Sequence, residues 1–301
     1  MAGLEEEMIL TPTTIQMFMR CKRLYKLSQI DGWYPKHRPE YINLGTLFHM
    51  AMETWAKHNK ESAIKCIKQE TSKVFQDTFD LGDFDSKHLE KAEVTLLGML
   101  EGYPFPVATD APEREFYHPY GDHVLAGKID GIRSTGGRLM ITDYKTKGSL
   151  DQVDDEDLMK RNFQASFYFY LLSKIDKKPY EGVEFIYVRR PSLRLKTKPP
   201  EQWGSFCRRI QKDYNDKERK DFYYRRVFTF RDPKDKTFWE NLNNIVHEIR
   251  MASRLDVWPM NETSCSQYRK CPYIAICNGD DDWKTRYVNR GPDHHPELKG
   301  E

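Results

Sequence analysis

GKIDGIRSTGGRLMITDYKTKG, residues Gly127 to Gly148, alternates apolar and polar positions on either side of a Ser-Thr-Gly-Gly turn. The pattern predicts two strands, HVLAGKIDGI and RLMITDYKT, joined by a hairpin-type loop at Ser134–Gly137. Successive side chains of a strand point to opposite faces, so Asp143 and Lys145 project one way and Tyr144 the other. Ile141 shares the face of Asp143 one step deeper, which puts the charges at the strand's end. Asp130 ends the neighbouring strand beside Gly131, and the hairpin can bring it close to Asp143. Two adjacent carboxylates repel, and one takes a raised pKa unless a cation sits between them. Oxygen ligands of this kind favour Mg²⁺ or Mn²⁺. The Lys145 ammonium can then position a water and neutralise charge that develops in a transition state. D-x-K by itself is ordinarily a surface ion pair worth at most ~1 kcal/mol.

Around this hairpin the chain reads first as helices. Thr11-Pro12-Thr13 predicts a helix start, with Ile15, Phe18 and Met19 as its apolar stripe. Further helices are expected over 43–59, 61–79 and 86–101. EREFYH, beginning at Glu113, opens the strand region. A helix over 157–174 places Phe163, Phe167, Tyr170 and Leu171 at core spacing. GVEFIYVRR (182–190) and DFYYRRVFTF (221–230) read as strands, and 234–254 as a long amphipathic helix. The tail from Asn289 reads as disordered. Helices, a strand meander, a helix and further strands predict a mixed α/β fold, a central mixed sheet flanked by helices.

At 301 residues one elaborated domain is expected. Net charge is only +2, so no strongly basic total announces a partner, yet cations concentrate between Lys160 and Arg226. Arg189, Arg190, Arg194, Arg208 and Arg209 lie there, interleaved with Trp203, Phe206, Tyr214, Phe222, Tyr223 and Tyr224. Such a stretch can track phosphates and stack bases, or be a solvated face with core aromatics. No apolar run approaches the ~20 residues of a membrane span, and MAGLEEEM does not resemble a signal peptide, so a soluble intracellular (cytoplasmic) protein is expected. Six cysteines in such a chain favour metal or cluster ligation over a disulfide scaffold. Cys21 near one end and Cys265, Cys271 and Cys277 near the other provide four thiolates. That is enough for a [4Fe–4S] cluster or a structural zinc, although both five-residue gaps lean away from a zinc knuckle. Cys66 reads as a small core residue, and Cys207 has no assignment.

I129-D130 followed by D143-Y144-K145 resembles the PD-(D/E)XK nuclease signature, and GKIDGI…ITDYKT is similar to its RecB-like form. Ile129 stands at the nominal proline. LGTLFHMAME resembles the helix presenting a metal-binding histidine, His49; EREF resembles the strand with a supporting glutamate, Glu113, with Glu115 as its substitute. Q164-A-S-F-Y168 matches the Q-x-x-x-Y element. T-P-x-x-x-x-x-F-x-x-C and C-P-Y-x-x-x-C are similar to the iron–sulfur nucleases of the AddB-like and CRISPR-associated RecB-like kind, although many of those space the later cysteines more tightly.

The resemblance implies a restriction-endonuclease-like core, with one nuclease domain over 1–288. Residues 1–104 form the helical part, 105–230 the core and 231–288 a C-terminal helix and three-cysteine segment. It implies a Mg²⁺- or Mn²⁺-dependent deoxyribonuclease, an exonuclease on single strands or duplex ends in end processing, recombination or repair. The metal ligands are expected to be His49, Asp130, Asp143 and the Tyr144 carbonyl. Glu113 is expected in support, with Lys145 acting on water and Gln164 positioning Lys145 or the strand. Tyr168 is expected to lean on the DNA backbone or the site wall. The four cysteines are expected to hold a [4Fe–4S] cluster. No P-loop is visible, so unwinding would come from a helicase or recombination partner. A phage or mobile-element origin would suit the chain's small size. The competing class is a non-catalytic DNA-end-binding scaffold, whose usual mark is loss of an acid or the lysine.

Overall fold

In the computed structural model, which describes residues 8–36, 43–79, 86–135, 137–267, 270–292, 294–296 and 298 (75–79 and 135 by backbone alone), Thr11 starts the first helix. Its hydroxyl accepts the Thr14 N–H at 3.2 Å, and the Thr14 hydroxyl takes the Thr11 N–H at 2.9 Å, a reciprocal cap. The chain runs β1 (Ile9–Leu10), α1 (Pro12–Arg20), α2 (Lys22–Tyr25), a π-turn, β2 (Trp33–Pro35), α3 (Leu44–Lys57), α4 (Lys60–Phe79) and α5 (Ser86–Gly102). The strands β3 (Arg114–Tyr120), β4 (His123–Ile129), β5 (Gly131–Thr135) and β6 (Arg138–Lys147) follow. Then come α6 (Glu156–Lys160), α7 (Phe163–Asp176), β7 (Tyr180–Arg189), α8 (Trp203–Asn215), α9 (Lys220–Tyr223) and β8 (Tyr224–Phe230). α10 (Thr237–Leu255), α11 (Ile274–Asn278), α12 (Trp283–Arg286) and β9 (Tyr287–Asn289) complete the order.

The central sheet has the order β5-β6-β7-β8; β6 and β7 are parallel and the outer pairs antiparallel. A second sheet, β1-β4-β3, adjoins it, because β4 and β5 are one chain path interrupted at Asp130. Ile129 pairs with Arg114 of β3, whereas Gly131 pairs with Thr142 of β6. Asp130 therefore sits where the strand changes sheets. Ala108 and Asp110 press against Gly131: a Cβ there would stand 2.8 Å from the Ala108 methyl.

Period-two alternation sorts the central strands into two cores. Ile141, Val183, Phe185 and Tyr187 pack with Phe167 and Leu171 of α7 and Phe238 and Leu242 of α10. On the other face Tyr144, Ile186 and Val188 pack with Phe48 of α3, Leu96 and Met99 of α5, and Phe206 and Tyr214 of α8. Sheets between two helical layers form a mixed α/β structure of the restriction-endonuclease-like kind.

Several elements depart from the sequence reading. HVLAGKIDGI is two strands. The helix expected over 157–174 breaks at Arg161–Asn162, where Asn162 caps α7 by accepting the Ala165 N–H at 3.0 Å. The Arg231 guanidinium holds the break, donating to the Met159 carbonyl at 2.9 Å and the Asn162 carbonyl at 3.3 Å. DFYYRRVFTF begins in the helical turn α9, because Tyr223 is buried against Tyr214 and its hydroxyl bonds Asp213. The tail expected to be disordered contributes structure where it is described. β9 pairs antiparallel with β2, the Arg290 N–H donates to the Gly32 carbonyl at 2.8 Å, and His295 is buried.

Candidate metal centre

The sheet switch, β6, α3 and α7 converge on one point. Extending the β5–β6 register by one residue sets Asp130 opposite Asp143. Asp130 Oδ2 accepts the backbone N–H of Tyr144 at 2.5 Å, and Oδ1 lies 2.8 Å from Nδ1 of His49, carried in from α3. Glu113 arrives from the turn before β3. Its N–H donates to the Asp130 carbonyl at 3.2 Å, with φ at 55°, a left-handed conformation costing a non-glycine residue about 1–2 kcal/mol. His49, Glu113 and Asp130 place one ligand atom each within 4.8 Å of the others.

Asp143 faces the same region from β6. Lys145 Nζ lies 2.7 Å from its Oδ2, yet that oxygen has no hydrogen bond of acceptable alignment. The contact is a close ion pair that leaves the buried lone pair poorly used. Gln164 Nε2, on the first turn of α7, reaches the other carboxylate oxygen at 3.4 Å and the Tyr168 hydroxyl at 2.8 Å.

Electrostatics separate the two aspartates. Burial opposes ionisation of Asp130, but the charge and hydrogen bond of His49, the Tyr144 N–H and Lys145 hold its carboxyl below the usual range. Burial pushes Asp143 up; Lys145 offsets this in part, while Asp130 adds repulsion. Glu113 is also raised by burial and by Asp130, against the pull of Lys128. Burial would lower His49, but Asp130 and then Asp143 bring it up to about 9. Two carboxylates and one imidazole within 4.8 Å of one another, with Asp143 beside them carrying a buried oxygen that lacks an aligned donor, fit a divalent cation. Ligand distances of about 2.0–2.6 Å allow such atoms to share one ion.

A model of the PD-(D/E)XK nuclease superfamily matches residues 9–278. The chain belongs to the PD-(D/E)XK nuclease superfamily. Among curated proteins none matches it. Membership brings nuclease chemistry dependent on a divalent metal, with DNA as the substrate class. No described helix is long and apolar enough to cross a membrane.

The fold gathers some of the residues that the sequence singles out and disperses others. His49, Glu113, Asp130, Asp143, Tyr144, Lys145 and Gln164 come together. Glu115, the substitute for Glu113, pairs in register with Lys128 and accepts from the Tyr117 hydroxyl at 3.1 Å. Tyr168 forms part of the wall: it is 5% exposed, its ring meets Phe116 edge-on and its hydroxyl accepts from Gln164. Gln164 contacts Asp143 and Tyr168. Lys128 was missed; it forms an ion pair with Glu113. Its signal was present, since Lys128 and Asp130 stand two residues apart in the strand that the sequence predicts over HVLAGKIDGI, and so on one face of it.

The basic stretch is dispersed. Arg209 is held by Glu201 at 2.7 Å and the Arg194 carbonyl at 2.8 Å, Arg208 donates to Ser205, and Arg189 lies over the Phe222 ring. Phe206, Tyr214, Tyr223 and Tyr224 are core residues, so they cannot stack on bases.

Cys21, Cys271 and Cys277 pack against one apolar cluster with Leu24, Leu27, Tyr273 and Tyr287. Asn261 links Cys21 to Cys265: its N–H donates to Cys21 Sγ at 3.4 Å, and Cys265 Sγ lies 3.8 Å from its carbonyl. Burial pushes the Cys277 thiol up, with Cys271, Cys21 and Cys265 adding to it. All four are free thiols, and no metal-sized group of cysteines forms among the described residues. Cys207 is buried in α8, and Cys66 is half-buried in α4.

Proposed function

We propose that the chain is a RecB-like DNA exonuclease that hydrolyses phosphodiester bonds in single strands or at duplex ends. The observation that carries this reading is the meeting of Asp130, Asp143 and His49 at the sheet switch, with Lys145 on the face of Asp143. His49, Asp130, Asp143, the Tyr144 carbonyl and Glu113 would hold Mg²⁺ or Mn²⁺, which supplies Lewis-acid polarisation of the phosphate and neutralises developing charge. Lys145 orients the attacking water by hydrogen bonding and stabilises charge on the phosphoryl oxygens. Gln164 fixes the rotamer of Asp143, and Tyr168 fixes Gln164. Lys128 partly neutralises Glu113, so that Glu113 can remain close to Asp130.

Three cysteines from the two chain ends at one apolar cluster, Cys21, Cys271 and Cys277, with Cys265 tied to Cys21 through Asn261, support a [4Fe–4S] cluster at these four residues that staples α1 to the C-terminal segment. A role in intracellular end processing, recombination or repair, with a separate helicase, follows from the same reading. The test is anaerobic purification followed by cleavage of end-labelled single- and double-stranded DNA with Mg²⁺ or Mn²⁺. Asp143→Ala should abolish cleavage while circular dichroism stays as in the parent. Wild-type cleavage by folded Asp143→Ala protein overturns the assignment. Colourless, iron-free anaerobic protein overturns the cluster alone.

A further inference from the structure

β6, which carries Asp143 and Lys145, runs parallel to β7, so the two strands lead on side by side to Gly148 and Arg190. There they meet α5 and the first residue of α3 around a cavity of about 440 Å³. His88, Lys91 and Arg190 line it together with Ser192, and none of its described lining residues is acidic. Arg190 is anchored by its main chain, whose N–H donates to the Lys147 carbonyl at 2.7 Å. Its guanidinium lies over Gly148, where an added Cβ would stand 3.6 Å from Nη2. The α3 amides at Gly45 and Thr46 are capped by Asn43, so the positive character comes from side chains. Arg189, Arg208 and Arg209 are engaged elsewhere, and Lys91 stands at the edge of the cavity with its Nζ 5.8 Å from the Phe206 ring centre.

A strand rises ~3.3 Å per residue, which sets Gly148 roughly 10 Å beyond Lys145. A stacked nucleic-acid strand advances ~3.4 Å per nucleotide, so the cavity lies about three nucleotides from the scissile bond. We infer that this cavity is a phosphate-binding subsite that grips the substrate strand through Lys91 and Arg190. The inference rests on the nuclease reading and adds to it a fixed second point of attachment. A cavity, unlike a flat basic face, can receive either an internal backbone phosphate or a terminal one.

The test uses the cleavage-inactive Asp143→Ala protein and a fluorescent single-stranded oligonucleotide, titrated across salt concentrations. Lys91→Gln and Arg190→Gln should each weaken binding about three- to tenfold and lower the log–log salt slope by about 0.7. Loss on circular and linear strands alike identifies an internal phosphate. Loss confined to 5′-phosphorylated or 3′-phosphorylated linear strands identifies a terminal one. An unchanged affinity and slope in the double variant overturns the subsite. So does an equal loss in Arg254→Gln on α10, which would mark a diffuse charge effect. In the active protein the two variants should lose more on a long strand than on a dinucleotide substrate. Failure of Asp143→Ala to abolish cleavage would instead count against the nuclease assignment, and the binding slopes would still report on the cavity.

Discussion

Raising the pH from 7 to 9 is expected to tighten Mg²⁺ binding at the His49–Glu113–Asp130 site by about fiftyfold. Burial acts to lower the His49 pKa, but Asp130 at 2.8 Å, aided by Asp143, raises it to about 9 in the metal-free protein. A protonated imidazole cannot ligate a cation. With a pKa of about 9 the ligating form is about one part in a hundred at pH 7 and about one half at pH 9, a ratio of about fifty. Asp143, raised by burial, acts in the same direction at the acid end. The linkage has the opposite sign for the metal-free fold. A raised folded-state pKa means that the His49–Asp130 pair stabilises the protein fully below the ordinary value of 6.5, and that this stabilisation is lost as pH rises through about 9. Calorimetric titration with Mg²⁺ in buffers of different ionisation enthalpy should show about one proton released per cation at pH 7 and about half at pH 9. His49→Gln should bind more weakly and lose most of the dependence between pH 7 and 9. Affinity that stays flat across this range, without proton release, would refute the coupling of His49 to the cation.

Removing the Lys145 ammonium (Lys145→Ala) should lower kcat by about 10²–10³-fold with cation affinity retained, measured by single-turnover cleavage; a parallel loss of cation affinity would make Lys145 a support for Asp143 only. Chelation with EDTA should stop cleavage, and excess Mg²⁺ or Mn²⁺ should restore it; cleavage that persists in the chelator contradicts metal dependence. Glu184 is fully buried between Arg133 and Arg226, so Glu184→Ala should cost about 3–5 kcal/mol in urea denaturation by leaving two guanidinium groups without their shared acid. A loss under about 1 kcal/mol would show that water replaces it. Gly98 of α5 meets the ring of buried Tyr214, with an added Cβ 2.8 Å from Cδ2, so Gly98→Ala should destabilise by about 1–3 kcal/mol despite better helix propensity; a stabilised variant would disprove this steric account.

Local chemistry was legible where one element decided it. The Thr11 cap, the facing of Asp143 and Lys145, and the pairing of Gln164 with Tyr168 four residues later follow from strand and helix periods. α8 carries a helical signal that the sequence reading does not use: Phe206, Ile210 and Tyr214 recur at four-residue spacing on one buried face. The density of cations around them drew the reading toward a nucleic-acid surface instead. Burial shows those aromatics to be core and leaves Arg190 beside the cavity.

The sequence by itself determined the mixed α/β class, the family signature and which residue types meet on the β6 face, because strand alternation and capping act within a few residues. Only the tertiary structure decided that one predicted strand switches sheets at Asp130, that Glu113 reaches the site from a left-handed turn, and that Lys128 neutralises it. It also decided the break at Asn162, which Arg231 holds from 69 residues away. These outcomes depend on partners distant in the chain, and on whether a charge is buried beside another charge or left in water. Periodicity carries neither kind of information, since both arise when separate elements pack.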